Sequence, residues 1–221
     1  MQKLPLSDIG FLATASPALR NMVAELAVGK KLAAGEVLFE QGSDGDAMFA
    51  IISGEVEVSV TSAGGRKLGL DIMGPGELLG EIALFSPGPR TATIMATMET
   101  EVWCLKNADV SKALRAKPEL YVDMIELAGK RMRWLSALYH EQVFMNVTSR
   151  LARKILHLSG PRHMKLHMSH ADLATFIGAT RETVSKTLSV WKQSGLITMG
   201  RSTLTVLDAD KLEKISQAEF S

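Results

Sequence analysis

Two stretches of the chain set charged, hydroxyl and glycine residues at spacings that chemistry could use. The first runs Gly80-Glu-Ile-Ala-Leu-Phe-Ser-Pro-Gly-Pro-Arg-Thr-Ala-Thr93. Gly80 lets a ligand approach the backbone, and one helical turn over Ile82 and Ala83 offers free amides to an anion. Arg90 adds a guanidinium fork and Thr91 a hydroxyl just before a strand. Such a group suits a phosphate diester beside a sugar hydroxyl. Arg90 and the amides take the charge, while Glu81, which would repel phosphate, accepts from the sugar. The second stretch, Arg181-Glu-Thr-Val-Ser-Lys186, opens a helix just after a turn at Gly178-Ala179. From such a position an arginine can bond guanine O6 and N7, and a glutamate can accept from cytosine N4.

The elements that must position these residues fall into two textures. Lys30 to Leu105 reads as short strands between turns. Apolar and polar residues alternate after Gly54 in the run Met48–Val60, and again from Thr91 to Leu105. A compact β-roll is expected. After Pro118 a helical pattern holds from Glu119 to about Phe144. Tyr121, Ile125, Ala128, Met132, Leu135 and Tyr139 make an a/d seam on it, and Met124, Leu127, Trp134 and Leu138 a second apolar stripe. One stripe lies on the β-roll and the other faces an identical helix, so the chain is expected to dimerise.

Asn146 is read as the N-cap of a helix through Val147, Leu151, Ile155 and Leu158, ending at Gly160-Pro161. Phe144 to Asn146 is the hinge. Ser169-His-Ala-Asp172 opens a further helix with a capping box, Gly178 breaks it, and Thr180 caps the next, whose apolar face is Val184, Leu188 and Trp191. Two helices across a glycine turn describe a helix-turn-helix, and Leu196 to Leu207 supplies a hairpin as its wing. Ser169, Thr180, Arg201 and Ser202 are placed to meet a nucleic-acid backbone. The expected class is α+β, with residues 1–117 as effector domain, 118–145 as dimerisation helix and hinge, and 146–221 as the winged helix-turn-helix.

The chain has 221 residues, 25 Lys+Arg, 24 Asp+Glu and one cysteine. Its near-neutral total hides opposite halves. Residues 1–146 carry 14 basic and 18 acidic groups, whereas residues 147–221 carry 11 and 6. An acidic front and a basic back point to different partners. One cysteine excludes a disulfide scaffold and any zinc or iron–sulfur site built from several thiolates. Cys104 is read as a small buried apolar group, and Met22, Met48, Met73, Met124 and Met132 as core filler. His163, His167 and His170 cluster without completing a tetrahedral set, so no metal is expected. No segment is apolar enough to span a membrane, so a cytoplasmic protein is expected. No nucleophile triad, P-loop or paired-carboxylate motif stands out, so an enzyme is not expected.

The first stretch closely resembles the phosphate-binding cassette of cyclic-nucleotide-binding domains. The second resembles the recognition helix of the CRP/FNR family of bacterial transcription regulators, named for the cyclic-AMP receptor protein and the fumarate-nitrate regulator. The resemblance covers nearly the whole chain. It implies that Glu81 holds the ribose 2′-hydroxyl, Arg90 the cyclic phosphate, and Thr91 a further hydroxyl contact, with the backbone of Gly80, Ile82 and Ala83 completing the cradle. Arg131 matches an arginine near the ligand and Ser136 a serine that touches adenine across the dimer. Leu135 stands where the cyclic-AMP receptor has threonine. The hydroxyl it lacks would contribute about 0.5–1.5 kcal/mol to holding the exocyclic amine. Arg181, Glu182 and Lys186 match base-reading positions, with Ser185 beside them. Ser185 and Lys186 replace the receptor's glycine and arginine.

The ligand so implied is a cyclic mononucleotide, first cyclic AMP. The partners are double-stranded DNA with TGTGA-like half-sites, a second copy of the chain, and RNA polymerase near Ser159 to His163. A regulator of the same fold that is independent of effector or senses haem, and a nucleotide-binding subunit acting through protein contacts, are the alternatives.

Overall fold

A computed structural model describes residues 10–160 and 165–218. The loop residue His163 and most of the loop expected to meet RNA polymerase lie outside the described residues. The chain divides into two compact units, the first made of residues up to 66 with 70–133, the second of 67–69 with 134 onward.

Two short helices, α1 (Phe11–Thr14) and α2 (Pro17–Leu26), precede the strands. Ser16 caps α2 through a hydroxyl that accepts from the Leu19 amide at 3.1 Å, and Pro17 follows at the first helical position. Eight strands come next: β1 (Val28–Leu32), β2 (Val37–Phe39), β3 (Ala47–Ser53), β4 (Val56–Thr61), β5 (Lys67–Met73), β6 (Leu78–Leu79), then helix α3 (Ile82–Phe85), β7 (Thr93–Ala96) and β8 (Thr100–Lys106). They form two four-stranded sheets, ordered β1-β8-β3-β6 and β2-β7-β4-β5. The expected β-roll is thus the observed one.

The helix pair α4 (Asn107–Ala116) and α5 (Leu120–Phe144) follows. Alternation along β8 sends Trp103 and Leu105 to one face, where they join Leu19, Met48, Leu78, Val110, Leu114, Leu120, Met124 and Leu127 in one core. Cys104 falls on the other face and is half-buried, so it is not the core residue the sequence reading expected. Asp123 of α5 is buried because Ser16 donates to it twice, from the amide at 2.8 Å and the hydroxyl at 2.7 Å. That pair of bonds docks the start of α2 on α5 and satisfies a carboxylate that burial alone would penalise.

The second unit carries α6 (Val147–Ser159), α7 (His170–Ile177), α8 (Arg181–Gln193), the hairpin β9 (Ile197–Gly200) and β10 (Thr203–Val206), and α9 (Ala209–Ser216). Its core joins Leu151, Ile155, Leu173, Ile177, Val184, Leu188, Trp191, Ile197, Leu204 and Leu212. Every expected cap is present. Asn146 accepts from the Ser149 amide at 2.9 Å, Ser169 and Asp172 form the capping box, and Thr180 accepts from the Thr183 amide at 3.2 Å. Gly178 sits at φ 64°, the left-handed conformation that ends α7 with little cost only for glycine. Helix, glycine turn, helix and hairpin make the winged helix-turn-helix.

Candidate functional site

The cassette is built where β6 gives way to α3. Gly80 turns at φ 75°, and a Cβ there would meet the Arg90 guanidinium. This position therefore needs glycine twice over, for its backbone angle and for the space. The turn delivers Ile82 and Ala83 as the first residues of α3, whose amides have no intrahelical acceptor. A Cβ on Gly45 would run into the methyl of Ala83, so the chain on the other side of the cradle is also pared to backbone.

Arg90 is held from behind. Its guanidinium lies over the Phe39 ring at 4.2 Å and near the Phe49 ring at 5.7 Å, and its Nη1 donates to the Gly80 carbonyl at 3.2 Å. Arg90 is 5% exposed, and its Nε has no partner among the described residues. Burial lowers its pKa from the ordinary value, against the opposing pull of Asp46, Cys104 and Glu81. A buried cation with an unspent donor, beside two free amides, is arranged to take an anion. The residues present thus fit a phosphate group.

Glu81 is 4% exposed. Its Oε1 accepts from Arg131 Nε at 3.0 Å, and Arg131 also bonds the Leu78 carbonyl and lies 3.4 Å from Glu77. One arginine of α5 therefore clamps the residues on both sides of Gly80. Gly80, Glu81, Ala83, Arg90 and Arg131 are brought together, while Ile82, Thr91 and Ser136 are exposed.

On α5 the two stripes part as their spacing requires. Met124 and Leu127 are buried, whereas Tyr121, Ile125, Met132, Leu135 and Tyr139 stay exposed, Ile125 at 71% and Met132 at 74%. Met132 is therefore not the core filler first expected, and Ala128 is half-buried. Met22, Met48, Met73 and Met124 are buried.

At the start of α8, Arg181, Glu182 and Lys186 are exposed, and Lys186 Nζ pairs with Glu182 Oε1 at 2.9 Å across one helical turn. Ser185 is half-buried and shares a 2.9 Å hydrogen bond with His170 Nδ1. Ser169 is half-buried at the start of α7. Arg201 and Ser202 are exposed at the tip of the hairpin, Ser202 at φ 51°.

Residues 29–117 match the cyclic nucleotide-binding domain family and residues 149–215 the Crp-like helix-turn-helix domain family. The cyclic AMP receptor protein of Thermus thermophilus is 32% identical over 186 residues, covering 82% of this chain and 85% of that protein. The chain belongs to the CRP/FNR family. A CRP-like cAMP-activated global transcriptional regulator of Mycobacterium tuberculosis is 27% identical over 188 residues, covering 81% of this chain and 84% of that one. The c-di-GMP responsive regulator CLP of Xanthomonas campestris shares the fold, with TM-score 0.74 at 22% identity over 86% of this chain and 97% of that one.

This CRP/FNR protein is a transcription regulator with a cyclic nucleotide-binding domain and a DNA-binding helix-turn-helix. Among the described residues no helix is long and apolar enough to cross a membrane, and no cluster of three or more His, Cys, Asp or Glu could hold a metal.

Several residues around this CRP/FNR cassette lie far from it in sequence. Phe39 and Phe49, which back Arg90, come from strands 41 or more residues upstream, and no local pattern joins them to it. Asp46 and Glu77 are likewise recruited by tertiary packing. His170, the first residue of α7, meets Ser185 of α8 at 2.9 Å, a contact between two helices that no local pattern announces.

Proposed function

We propose that this regulator is a homodimer whose affinity for DNA is set by a cyclic mononucleotide, cyclic AMP, bound at the cassette. The observation that carries the reading is the buried Arg90, whose Nε has no partner among the described residues and lies beside the amides of Ile82 and Ala83. Arg90 takes the cyclic phosphate, the cradle of Gly80, Ile82 and Ala83 closes round it, and Thr91 adds its hydroxyl. Glu81 accepts from the ribose 2′-hydroxyl while Arg131 holds its other face. Ser136 meets the base, in the company of the second subunit. The names of two relatives, one a cAMP-activated regulator and the other a cyclic AMP receptor protein, support this choice.

Residues 1–117 sense, 118–145 dimerise and 146–221 read. The exposed stripe Tyr121, Ile125, Ala128, Met132, Leu135 and Tyr139 is the dimer seam. Each α8 enters a major groove with Arg181, Glu182, Ser185 and Lys186 toward the bases. Ser169, Thr180, Arg201 and Ser202 face the phosphates. The two half-sites are TGTGA-like and stand one helical turn of DNA, roughly 34 Å, apart. RNA polymerase meets the loop after α6.

A second reading keeps the same fold with a different nucleotide. It is favoured by Leu135, which lacks the hydroxyl for adenine, and by the c-di-GMP response named for a relative of the same fold. Calorimetry with cyclic AMP, cyclic GMP and cyclic di-GMP on wild type and Arg90→Ala separates the two. Heat with cyclic AMP alone, lost in Arg90→Ala, is expected. Heat with another nucleotide alone selects the second reading, and none with any of the three overturns both.

A further inference from the structure

We infer that His170 is a positioning residue for DNA specificity: it fixes the hydroxyl of Ser185 and thereby the base preference at the position Ser185 reads. The inference rests on α8 being the reading helix.

Ser185 differs from its neighbours on the reading face. Arg181, Glu182 and Lys186 are exposed, and the one contact that ties Glu182 to Lys186 is a surface pair at about three-quarters exposure of each side chain, 76% and 77%. Such a pair contributes little and releases either partner readily. Ser185 is instead half-buried and bonded at 2.9 Å to a ring of the preceding helix. A serine hydroxyl rotates freely when unpaired and offers either a hydrogen or a lone pair to whatever faces it. A bond to an imidazole nitrogen removes that freedom. If the hydroxyl spends its hydrogen on Nδ1, only lone pairs remain for a base. If Nδ1 donates, the hydroxyl hydrogen is turned outward. In the first case the donor role is lost to a base, and in the second the direction of the hydrogen is fixed, where an unpaired serine would turn to offer either.

His170 is itself rigidly placed. It is the first residue of α7, directly after Ser169, whose capping box with Asp172 holds the start of that helix by three hydrogen bonds of 2.7–3.2 Å. Thr180 and Gly178 set the angle at which α8 leaves α7. The imidazole therefore reaches Ser185 from a scaffold fixed at both ends, the condition for one side chain to orient another. The chemistry recognised is a base edge in the major groove. An exocyclic amine would answer a lone pair, and guanine O6 or N7 or thymine O4 would answer the hydrogen.

The test is a panel of duplexes carrying all four base pairs at each position of one half-site, bound by the 221-residue chain with saturating cyclic AMP. Wild type, His170→Ala, His170→Asn, Ser185→Ala and the double variant are compared, each first checked by thermal melting. His170→Ala is expected to flatten the preference at a single position by roughly threefold to tenfold, the net worth of one hydrogen bond. The other positions stay unchanged. His170→Asn, whose amide lies near where Nδ1 was, restores part of the preference. In Ser185→Ala the same position is already flat, and adding His170→Ala changes nothing more, so the cycle shows full coupling. A uniform loss of affinity over all duplexes with the preference kept would mark His170 as a phosphate contact or a packing residue and overturn the inference, as would additive effects in the double variant. Wild type that binds every duplex alike would instead overturn the assignment of α8 as reader, and this inference with it.

Discussion

Arg90 and Glu81 are both nearly sealed from water, yet their partners differ in kind. Arg90 rests on two aromatic rings and one carbonyl with a donor to spare, whereas Glu81 is already paired with Arg131. Arg90→Ala is therefore expected to cost at least about tenfold in nucleotide affinity, from a charged hydrogen bond of roughly 1.5–3 kcal/mol, with little change in melting temperature. Arg131→Ala acts the other way round. It leaves the buried Glu81 carboxylate without its main cation and destabilises the first unit by about 1–3 kcal/mol, read by urea denaturation. Cys104 gives a pH-dependent check. Burial first, then Asp46, pushes its thiol above the ordinary range. The thiol stays protonated near neutral pH, so alkylation by iodoacetamide is expected to be slower in the native protein than in urea. A folded-state thiol pKa raised in this way contributes stability in full below the unfolded thiol's pKa. That contribution fades as the pH climbs through the folded one. The identity of Arg90 and Glu81 as a site was legible because their chemistry is compressed into one short segment. Arg131 was placed near the ligand by resemblance alone, whereas Phe39 of β2, Phe49 of β3 and Asp46 in the loop before β3 are seen to surround it only in the folded chain.

The elements of the second unit are stopped and started by single residues. Asn146, Ser169 and Thr180 each donate no charge but satisfy an orphan amide of α6, α7 or α8. Asn146→Ala is expected to lower the stability of this unit by about 0.5–2 kcal/mol, measured by thermal melting, and Asn146→Asp to retain most of it. The same capping logic made these boundaries readable in advance, because Ser, Thr and Asn before an apolar periodic run have a local physical reason. Helix α4 lacks such a signal. It begins at Asn107 directly after Lys106, which makes no side-chain cap, while the start of α2, capped by Ser16, is secured further by Asp123, 107 residues on. Arg150 illustrates what capping rules omit. It donates to the Gln142 carbonyl at 3.2 Å in the last turn of α5, satisfying an acceptor that helix geometry leaves free, and burial lowers its pKa.

Over the whole chain the charges are sorted by role. The excess of 18 acidic over 14 basic groups lies in residues 1–146, and that of 11 basic over 6 acidic in residues 147–221. Binding of DNA through the basic part is expected to weaken steeply as salt rises, because each neutralised phosphate releases counterions. The seam on α5 exposes Ile125, Met132, Leu135 and Tyr139 together, an apolar stripe that a solitary helix would not leave to water. Leu135→Glu or Ile125→Glu is expected to halve the mass seen by sedimentation, and an unchanged mass would remove the seam from the interface. A monomer so made loses the second half-site and with it most of its DNA affinity. A ligand at the cassette can shift DNA affinity only by its differential affinity for the two states. The most direct measurement is fluorescence anisotropy of a labelled palindromic TGTGA-type duplex, titrated with the protein at zero and saturating cyclic AMP, for wild type and Arg90→Ala. Wild type is expected to gain about fivefold to 150-fold in DNA affinity with the nucleotide, and Arg90→Ala to gain nothing. Equal DNA affinity in wild type with and without the nucleotide, once calorimetry has shown it bound, would contradict the account.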